Sequence, residues 1–326
     1  MEHQLYPLKF EPIFKETLWG GSKLKSVLNK NIPSEKTGES WELSAVEGNM
    51  SVVKEGFLQG NTLEEIIEVY MSDLVGEKVY EKFGVEFPLL IKFIDAADDL
   101  SIQVHPNDEL AKKRHHAYGK TEMWYILEAD PGAKLITGFN RKLDKETYLD
   151  YFRNGRLREL LNYEPVKAGD VFLIPAGRIH AIGKGILLAE IQQTSDITYR
   201  IYDWDRKDAH GKPRELHVED ALDAIDYNYY KEYKTSYVYS KNKTSNIIDN
   251  PYFFTNLLFF DEAIEKDYTL IDSFVIYICV EGLFDIQYTG GKTSVSKGET
   301  VLLPADLKSV ILFPHASSKL LEVYIK

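Results

Sequence analysis

The chain has 326 residues, of which 44% are hydrophobic and 13% aromatic, so it can build one large or two ordinary domains and is not a disordered protein. Its net charge of -12 argues against a nucleic acid or an anionic membrane as partner, because both need a basic face. The single cysteine, Cys279, excludes an internal disulfide and is predicted to be buried and structural, since its neighbours are apolar.

The beginning of the chain, MEHQLYPLKFEP, has neither a basic start nor an apolar core and therefore does not look like a signal peptide. No apolar run approaches the roughly 18 residues that a membrane span requires. We therefore expect a cytoplasmic protein.

Four segments are predicted to be helical. The first, NTLEEIIEVYMSDLVGEKVYEKFG (61–84), opens with Thr62 and Glu65 in the spacing of a capping box. PNDELAKKRHHAYG (106–119) starts on a proline and closes on a glycine. LDKETYLDYFRNGRLRELLN (143–162) has apolar residues close to the helical period, and HVEDALDAIDY (217–227) is short and amphipathic.

The remaining pattern is that of short strands rich in Ile, Val, Tyr and Leu, separated by turn residues. Their close spacing predicts antiparallel sandwich or barrel packing rather than alternating βαβ units. The fold class is therefore expected to be mainly β. The predicted strands include LLIKFIDA, LSIQVHP, EMWYILEA, VFLIPAG, ILLAEIQQ, FVIYICVEG, LFDIQYTG and ETVLLPA.

The composition changes near residue 231, where YKEYKTSYVYSKNKTSN predicts a linker or an edge strand. We expect one domain over residues 1–230 and a second over 231–326. GDVFLIPAGRIH (169–180) and GETVLLPADLKS (298–309) form a weak internal repeat, in which the second copy lacks the turn glycine and the histidine. The second domain is therefore expected to carry no metal ligands.

Polar residues at strand ends mark the candidate site. Gln103 and His105 are two apart in LSIQVHP, so both point to one face of a strand. Glu122 begins the next strand, and His180 follows a corner made by a proline and a glycine. Two imidazoles, a carboxylate and an amide oxygen suit zinc. The other histidines are interpreted as ordinary packed or surface residues: His3, His115, His116, His210, His217 and His315.

The spacing G-x5-P-x-G-x2-H from Gly169 to His180 resembles the second motif of the cupin barrel. QVH followed by a glutamate resembles the first motif, with Gln103 where many cupins have a histidine. FPLLIKFIDA, LSIQVHP, KTEMWYIL, PAGRIHAIG and QQTSDITYRIYDWDR are similar, in order and character, to the type I mannose-6-phosphate isomerases. ETLWGG and GESWELS resemble that family too. The resemblance covers roughly residues 10 to 225 by motif and is closest to the short bacterial form.

This resemblance implies two cupin-like jelly-roll domains, with a few helices added to the N-terminal one, and an aldose–ketose isomerase. Such an enzyme interconverts mannose 6-phosphate and fructose 6-phosphate through a cis-enediol or enediolate. It would bind one zinc ion per chain and a small sugar phosphate, as a monomer or a dimer. The carried-over metal ligands are Gln103, His105, Glu122 and His180, and the carried-over active-site residues are Arg200, Lys120, Lys92 and Asp196.

The chemistry of these side chains limits their roles. Arg200 stays protonated and is expected to anchor anionic oxygen rather than act as a base. Lys92 and Lys120 are candidates for phosphate binding or proton shuttling. Asp196 could orient Arg200 or assist ring opening. Trp19 and Trp41 are predicted to be core residues, and Glu39 and Glu42 are left open as residues at the border of the site.

Two other functions fit the same motifs. An iron or manganese cupin oxygenase would share the barrel and most ligands, but it gives no reason for the set of Lys92, Lys120 and Arg200. A non-catalytic sugar-binding cupin would be expected to lack the metal ligands or the basic residues.

Overall fold

The computed structural model describes residues 4–208 and 210–326, so His3 lies outside the described residues. Strands dominate the structure, which confirms the mainly β prediction. The strands are β1 Ile13–Gly21, β2 Thr37–Leu43, β3 Ala45–Val46, β4 Asn49–Met50, β5 Leu89–Ala96, β6 Ile102–Val104, β7 Glu122–Ala129, β8 Lys134–Phe139, β9 Leu161–Pro165, β10 Val171–Ile174, β11 His180–Ala181, β12 Ile186–Gln193, β13 Tyr199–Tyr202, β14 Lys234–Thr235, β15 Lys243–Asp249, β16 Phe254–Phe260, β17 Ile264–Asp267, β18 Val275–Glu281, β19 Leu283–Tyr288, β20 Gly291–Ser296, β21 Thr300–Leu303, β22 Ser309–Pro314 and β23 Ser318–Tyr324.

The helices lie mainly in the first half of the chain. They are α1 Lys23–Ser26, α2 Leu63–Val75, α3 Glu77–Phe83, α4 Asp108–His115, α5 Lys145–Arg153 and α6 Val218–Ala224, with a 3-10 turn at Leu157–Leu160. None of the described helices is long and apolar enough to cross a bilayer.

Two of the predicted helical segments are broken by glycine. The predicted capping box of Thr62 and Glu65 is confirmed at the start of α2. The segment then divides at Gly76, which has φ 94° and ends α2 before α3 begins. The segment 143–162 stops being helical at Arg153, because Gly155 adopts φ 68°, and a 3-10 turn and β9 follow.

The first half of the chain forms two antiparallel sheets. One has seven strands in the order β1-β2-β5-β12-β7-β10-β14, and the other has five in the order β13-β6-β11-β8-β9. The tyrosine-rich stretch predicted as a linker or edge strand supplies β14, which pairs with β10 at the edge of the larger sheet. An apolar cluster that includes Trp19, Trp124, Phe172 and Leu135 lies between the two sheets.

The second half repeats this arrangement with five strands, β15-β16-β23-β18-β21, and four strands, β17-β22-β19-β20, around a separate core. Cys279 is fully buried in that core, as predicted. The largest apolar cluster joins the halves, because it contains outward-facing residues of both large sheets, such as Phe93 and Tyr125 from one and Ile276 and Leu321 from the other. The two large sheets therefore pack back to back.

The internal repeat seen in the sequence has a structural counterpart. The order β5-β12-β7-β10 in one sheet corresponds to β16-β23-β18-β21 in the other. Ile174 and Leu303 occupy equivalent positions in the two copies of the repeat, directly before the proline. Ile174 pairs with Glu122 in the first sheet, and Leu303 pairs with Val275 in the second. Valine thus occupies the position of the candidate carboxylate ligand in the C-terminal half.

The alternation of side chains along the larger N-terminal sheet positions the site. On β5, Ile91 and Phe93 face the shared core, whereas Lys92 faces the smaller sheet. On β12, Ala189 and Ile191 likewise face the core, and the intervening glutamate points the other way. The inner face is therefore apolar at one end and polar at the other.

Candidate metal centre

Three buried side chains meet at the polar end of the space between the two N-terminal sheets. The ligand atoms of His105, Glu122 and His180 all lie within 4.8 Å of one another. His180 Nε2 is 3.3 Å from Glu122 Oε1, and His105 Nε2 is 3.5 Å from Glu122 Oε2. Each of the three residues is at most 1% exposed. This is a compact set of nitrogen and oxygen donors shielded from water.

The corner before His180 connects two of these residues. Gly177 adopts φ 90°, which favours glycine, and its backbone N–H donates to the carbonyl of His105 at 2.9 Å. A Cβ at this glycine would lie 2.9 Å from the carbonyl oxygen of Ala224. The turn therefore fixes His180 relative to His105 and leaves no room for a larger residue.

Both imidazoles are oriented to present Nε2 to a metal. His105 Nδ1 donates to the carbonyl of Ile197, and His180 Nδ1 donates to the carbonyl of Arg178, each at 2.8 Å. His105 Nε2 and both carboxylate oxygens of Glu122 are buried without a hydrogen-bond partner among the described residues. Buried polar atoms of this kind normally have partners, so this donor set fits a divalent cation.

The protonation states agree with that chemistry. Burial lowers the pKa of both imidazoles, that of His180 to about 4, so they stay neutral and can act as ligands. Burial and then repulsion by Glu190 raise the pKa of Glu122, against the opposing effect of Lys120 and Lys92. A cation bound at this point would favour the ionised form of Glu122.

Gln103 lies beside the three residues. It pairs with His180 across β6 and β11, and its Nε2 is 3.4 Å from His180 Nε2. Rotation of the amide by half a turn presents Oε1 in place of Nε2. Val104, between Gln103 and His105, packs on the opposite face in an apolar cluster, as the two-residue period predicts.

Two buried lysines border the centre. Lys120 Nζ is 3.4 Å from Glu122 Oε2. Lys92 Nζ lies 3.3 Å from Glu190 Oε2 and 3.5 Å from Glu39 Oε2. Burial disfavours the charged form of Lys92, but the two neighbouring carboxylates outweigh it and raise the pKa of its ammonium. The neighbouring carboxylates therefore favour the charged form of Lys92 at this site.

Arg200 lies beside the candidate metal centre, whereas Asp196 lies apart from it. Arg200 pairs with Gln103 across β13 and β6, so the two side chains share the inner face. Its Nη1 donates to the carbonyl of Glu215, and burial together with repulsion by Arg214 lowers the pKa of its guanidinium. Asp196 is exposed and lines a separate cavity near α4, with no contact to the metal-binding group among the described residues.

Glu190 is a further residue of this site that no sequence motif marks. This residue lies opposite Lys92 on β12, and its Oε1 accepts a hydrogen bond from Trp124 Nε1 at 2.9 Å. Burial would raise the pKa of Glu190, but Lys92 and then Lys120 lower it. The available signal was one carboxylate within the apolar strand ILLAEIQQ, where an unpaired charge would be costly.

Glu39 and Glu42, whose roles the sequence leaves open, have different surroundings. Glu39 accepts a hydrogen bond from Trp41 Nε1 at 2.6 Å and contacts Lys92, so it borders the site. Glu42 instead pairs with Lys30 at 2.7 Å. Trp19 and Trp41 are both buried, as predicted, but Trp41 also lies 4.8 Å from the Lys92 ammonium.

Comparison with known proteins gives consistent matches. A family model described as the catalytic domain of phosphomannose isomerase type I matches residues 7–131. Mannose-6-phosphate isomerase ManA of Bacillus subtilis is 47% identical over 221 residues, which is 68% of this chain and 68% of that protein. Mannose-6-phosphate isomerase of Streptococcus mutans is 36% identical over 92% of this chain and 94% of its own length.

Solved structures agree over almost the whole chain. The crystal structure of mannose 6-phosphate isomerase from Bacillus subtilis superposes with a TM-score of 0.89 at 33% identity, covering 98% of this chain and 100% of that one. A putative mannosephosphate isomerase from Archaeoglobus fulgidus, at 22% identity and a TM-score of 0.79, shares the fold and covers 100% of this chain and 99% of its own.

Proposed function

The chain belongs to the type I mannose-6-phosphate isomerase family and is an isomerase, and on that premise we propose that it interconverts D-mannose 6-phosphate and D-fructose 6-phosphate with the help of one zinc ion. The observation that carries the proposal is the buried group of His105, Glu122 and His180, whose ligand atoms lie within 4.8 Å of one another. Of these atoms, His105 Nε2 and both carboxylate oxygens of Glu122 have no hydrogen-bond partner among the described residues. We propose Gln103 as the fourth ligand, through its amide oxygen.

The ligand set has a charge that suits the reaction. Aldose–ketose isomerisation moves a proton between adjacent carbons, and we propose that it passes through a cis-enediolate. Zinc with one anionic ligand keeps a charge of about +1 and would polarise the substrate oxygens when bound. Gln103 is neutral, so it preserves that charge where a second carboxylate would cancel it.

The protein's own cations complete the site. Lys92 is held protonated by Glu39 and Glu190, so we propose that it stabilises developing negative charge on the substrate. Lys120 contacts the ligand Glu122, and we propose it for proton shuttling. Arg200 is proposed to anchor anionic oxygen of the substrate. Asp196 lines a separate cavity and is therefore not proposed to act at the metal centre.

The alternatives are less well supported. Both relatives named above are isomerases, whereas an oxygenase would not need a buried ammonium held between two carboxylates. A non-catalytic sugar-binding protein is disfavoured because the metal-binding group and its cations are all present.

We further propose a metal-binding domain over residues 1–230 and a domain without metal ligands over 231–326.

A coupled assay tests the proposal directly. Purified protein supplied with zinc should convert mannose 6-phosphate into fructose 6-phosphate, and removal of the metal by a chelator should abolish the rate. Glucose 6-phosphate is the control substrate. An equal rate with glucose 6-phosphate would contradict the proposed substrate, and full activity in metal-free protein would contradict the proposed centre.

A further inference from the structure

The side chain of Arg178 packs on two tyrosines from the segment that connects the two halves of the chain. Its guanidinium carbon lies 4.5 Å from the ring centroid of Tyr230 and 4.9 Å from that of Tyr233. The two rings contact each other edge to face, with 6.0 Å between their centroids. A guanidinium is attracted to aromatic faces at these distances. We call Arg178, Tyr230 and Tyr233 the arginine–tyrosine stack.

The backbone of the same arginine orients a proposed metal ligand. The carbonyl of Arg178 accepts the hydrogen bond from His180 Nδ1 at 2.8 Å. This bond fixes the tautomer of the imidazole and the direction in which its Nε2 points. The N–H of Arg178 donates in turn to the carbonyl of Pro175 at 3.0 Å. A shift of Arg178 would therefore move the acceptor that holds the His180 ring.

Tyr233 is buried and also holds the strand that supports the residue directly before His180. Its hydroxyl donates to the carbonyl of Phe139 at 2.8 Å and accepts from the N–H of Phe139 at 3.2 Å. The N–H of Gly138 donates to the carbonyl of Ile179 at 2.7 Å. A Cβ at Gly138 would overlap with the Tyr233 ring, so the close packing requires a glycine there. Tyr233 thus supports Ile179 through β8.

The chain on either side of the stack is attached to the same loop. The Tyr230 hydroxyl donates to Asp226 Oδ2 at 2.8 Å, and the N–H of Asp226 donates to the carbonyl of Gly177 at 2.8 Å. On the other side, β14 pairs with β10, the strand that leads into the loop before His180. Residues 226–235 therefore contact this loop and its supporting strand at several points.

We propose that Arg178 and Tyr233 are positioning residues, which hold His180 in the orientation that binds the metal. The inference rests on the proposed function, since it takes His180 as a ligand. An imidazole that is oriented before the metal arrives loses less conformational entropy on binding. Outer contacts of this kind change metal affinity about 10- to 100-fold. Loss of the stack should therefore be measured as weaker binding of zinc.

Zinc titration of the metal-free protein tests this role without reference to activity. In competition with a chromophoric chelator, Arg178→Ala should raise the Kd for zinc about tenfold or more. Arg178→Lys keeps a cation over the two rings and should recover part of that loss. Arg156→Ala is the matched control and should keep the parent Kd. Arg156 also packs on a tyrosine, at 4.6 Å from the ring centroid of Tyr151, but it is exposed and contacts no residue of the loop before His180 among the described residues.

Tyr233→Phe separates positioning from a merely structural role. The variant keeps the ring under Arg178 but loses the hydroxyl that binds Phe139, so the Kd for zinc should rise about threefold or more. The titration is done at a temperature at which circular dichroism shows the metal-free variant to be folded. A merely structural contact would lower the unfolding temperature of the metal-free protein and leave the zinc affinity of the folded protein unchanged.

Parent-like zinc affinity in Arg178→Ala and Tyr233→Phe would overturn the positioning role and leave the function of an active, zinc-dependent parent enzyme intact. The expected order of Kd values in a protein without isomerase activity would support the positioning role and reject the proposed function. A parent protein that binds no zinc would reject both. Arg178→Ala keeps the test valid if Tyr233→Phe does not fold, because the Arg178 side chain is only half-buried.

Discussion

Lys92 and Glu190 face each other across the antiparallel pair of β5 and β12, with 3.3 Å between Nζ and Oε2. Both side chains are buried, and Glu190 also accepts a hydrogen bond from Trp124. A buried ammonium is stable only while carboxylates surround it. We therefore expect Glu190 to act as a positioning residue that favours the charged form of Lys92 beside the candidate metal centre.

Glu190→Gln tests that relationship. The amide keeps the shape of the side chain but removes the charge opposite Lys92, so kcat should fall about 10- to 100-fold while metal content is kept. Kinetics together with elemental analysis measure both. Glu42→Gln, which removes a carboxylate from the buried pair with Lys30 outside the site, should keep kcat. Equal kcat values for Glu190→Gln and the parent protein would show that Lys92 does not depend on Glu190.

His180→Ala should lose metal and activity together, because the centre loses a neutral imidazole whose Nε2 faces Glu122. Metal content by elemental analysis and turnover in the coupled assay should both fall by about 10-fold or more. His116→Asn is the matched control, since His116 is exposed and has φ 55°, which asparagine tolerates. Retention of a full complement of metal by His180→Ala would remove His180 from the ligand set.

Arg200→Ala should separate metal binding from turnover. Arg200 shares the inner face with Gln103 but donates to no atom of the metal-binding group. We therefore expect the variant to keep its metal and to lose turnover by about two orders of magnitude. A parent-like rate would exclude Arg200 from the mechanism, and loss of metal would show that it supports the ligands instead.

One metal ion per chain is expected. In the C-terminal half, Val275 has the sheet position of Glu122, and Ser309 has the place of His180 in the repeated motif. Neither residue offers a carboxylate or an imidazole. Elemental analysis of protein dialysed against dilute zinc should give a ratio near one, and a reproducible ratio of two would contradict this reading of the second half.

Asp285 is expected to make stability depend on acid pH. A hydrogen bond from Ser294, followed by hydrogen bonds from Lys292 and His315, lowers the pKa of Asp285 to about 2. The stabilising effect is therefore fully present above about pH 4, the ordinary value for an unfolded aspartate, and is lost as pH falls toward 2.

Asp285→Asn should accordingly cost about 1 kcal/mol in the free energy of unfolding at pH 7, a value reduced by solvent screening of the exposed partners. Urea unfolding at pH 7 and pH 3 measures the difference, which should shrink to about half at pH 3. A difference that stays constant between these two pH values would show that the charge of Asp285 contributes nothing.

Short-range patterns in the sequence predicted much of what surrounds the centre. The two-residue period placed Gln103 and His105 on one face, and the proline–glycine corner marked His180 as a directed side chain. Those features depend on local backbone geometry, which a single strand or turn determines by itself.

Long-range pairing was not predictable in the same way. The contact between Lys92 and Glu190 depends on the register of two strands far apart in the chain, which no local pattern specifies. The glycines that break the predicted helices, Gly76 and Gly155, were visible as residues, but the sequence did not show that both adopt positive φ angles. Nothing lies within 4 Å of a Cβ added at Gly155, whereas Gly76 is closely packed. At Gly76, for example, an added Cβ would lie 2.6 Å from the carbonyl oxygen of Asp272.

The back-to-back packing of the two large sheets joins the half that holds the candidate metal centre to the C-terminal half. Phe93 and Tyr125 are shielded by residues such as Ile276 and Leu321, which come from the end of the chain. A truncation after residue 230 would leave that face of the seven-stranded sheet bare to water and would remove β14 from its edge. The candidate metal centre lies on the opposite face of the same strands, so we expect that residues 1–230 alone would not form a working unit.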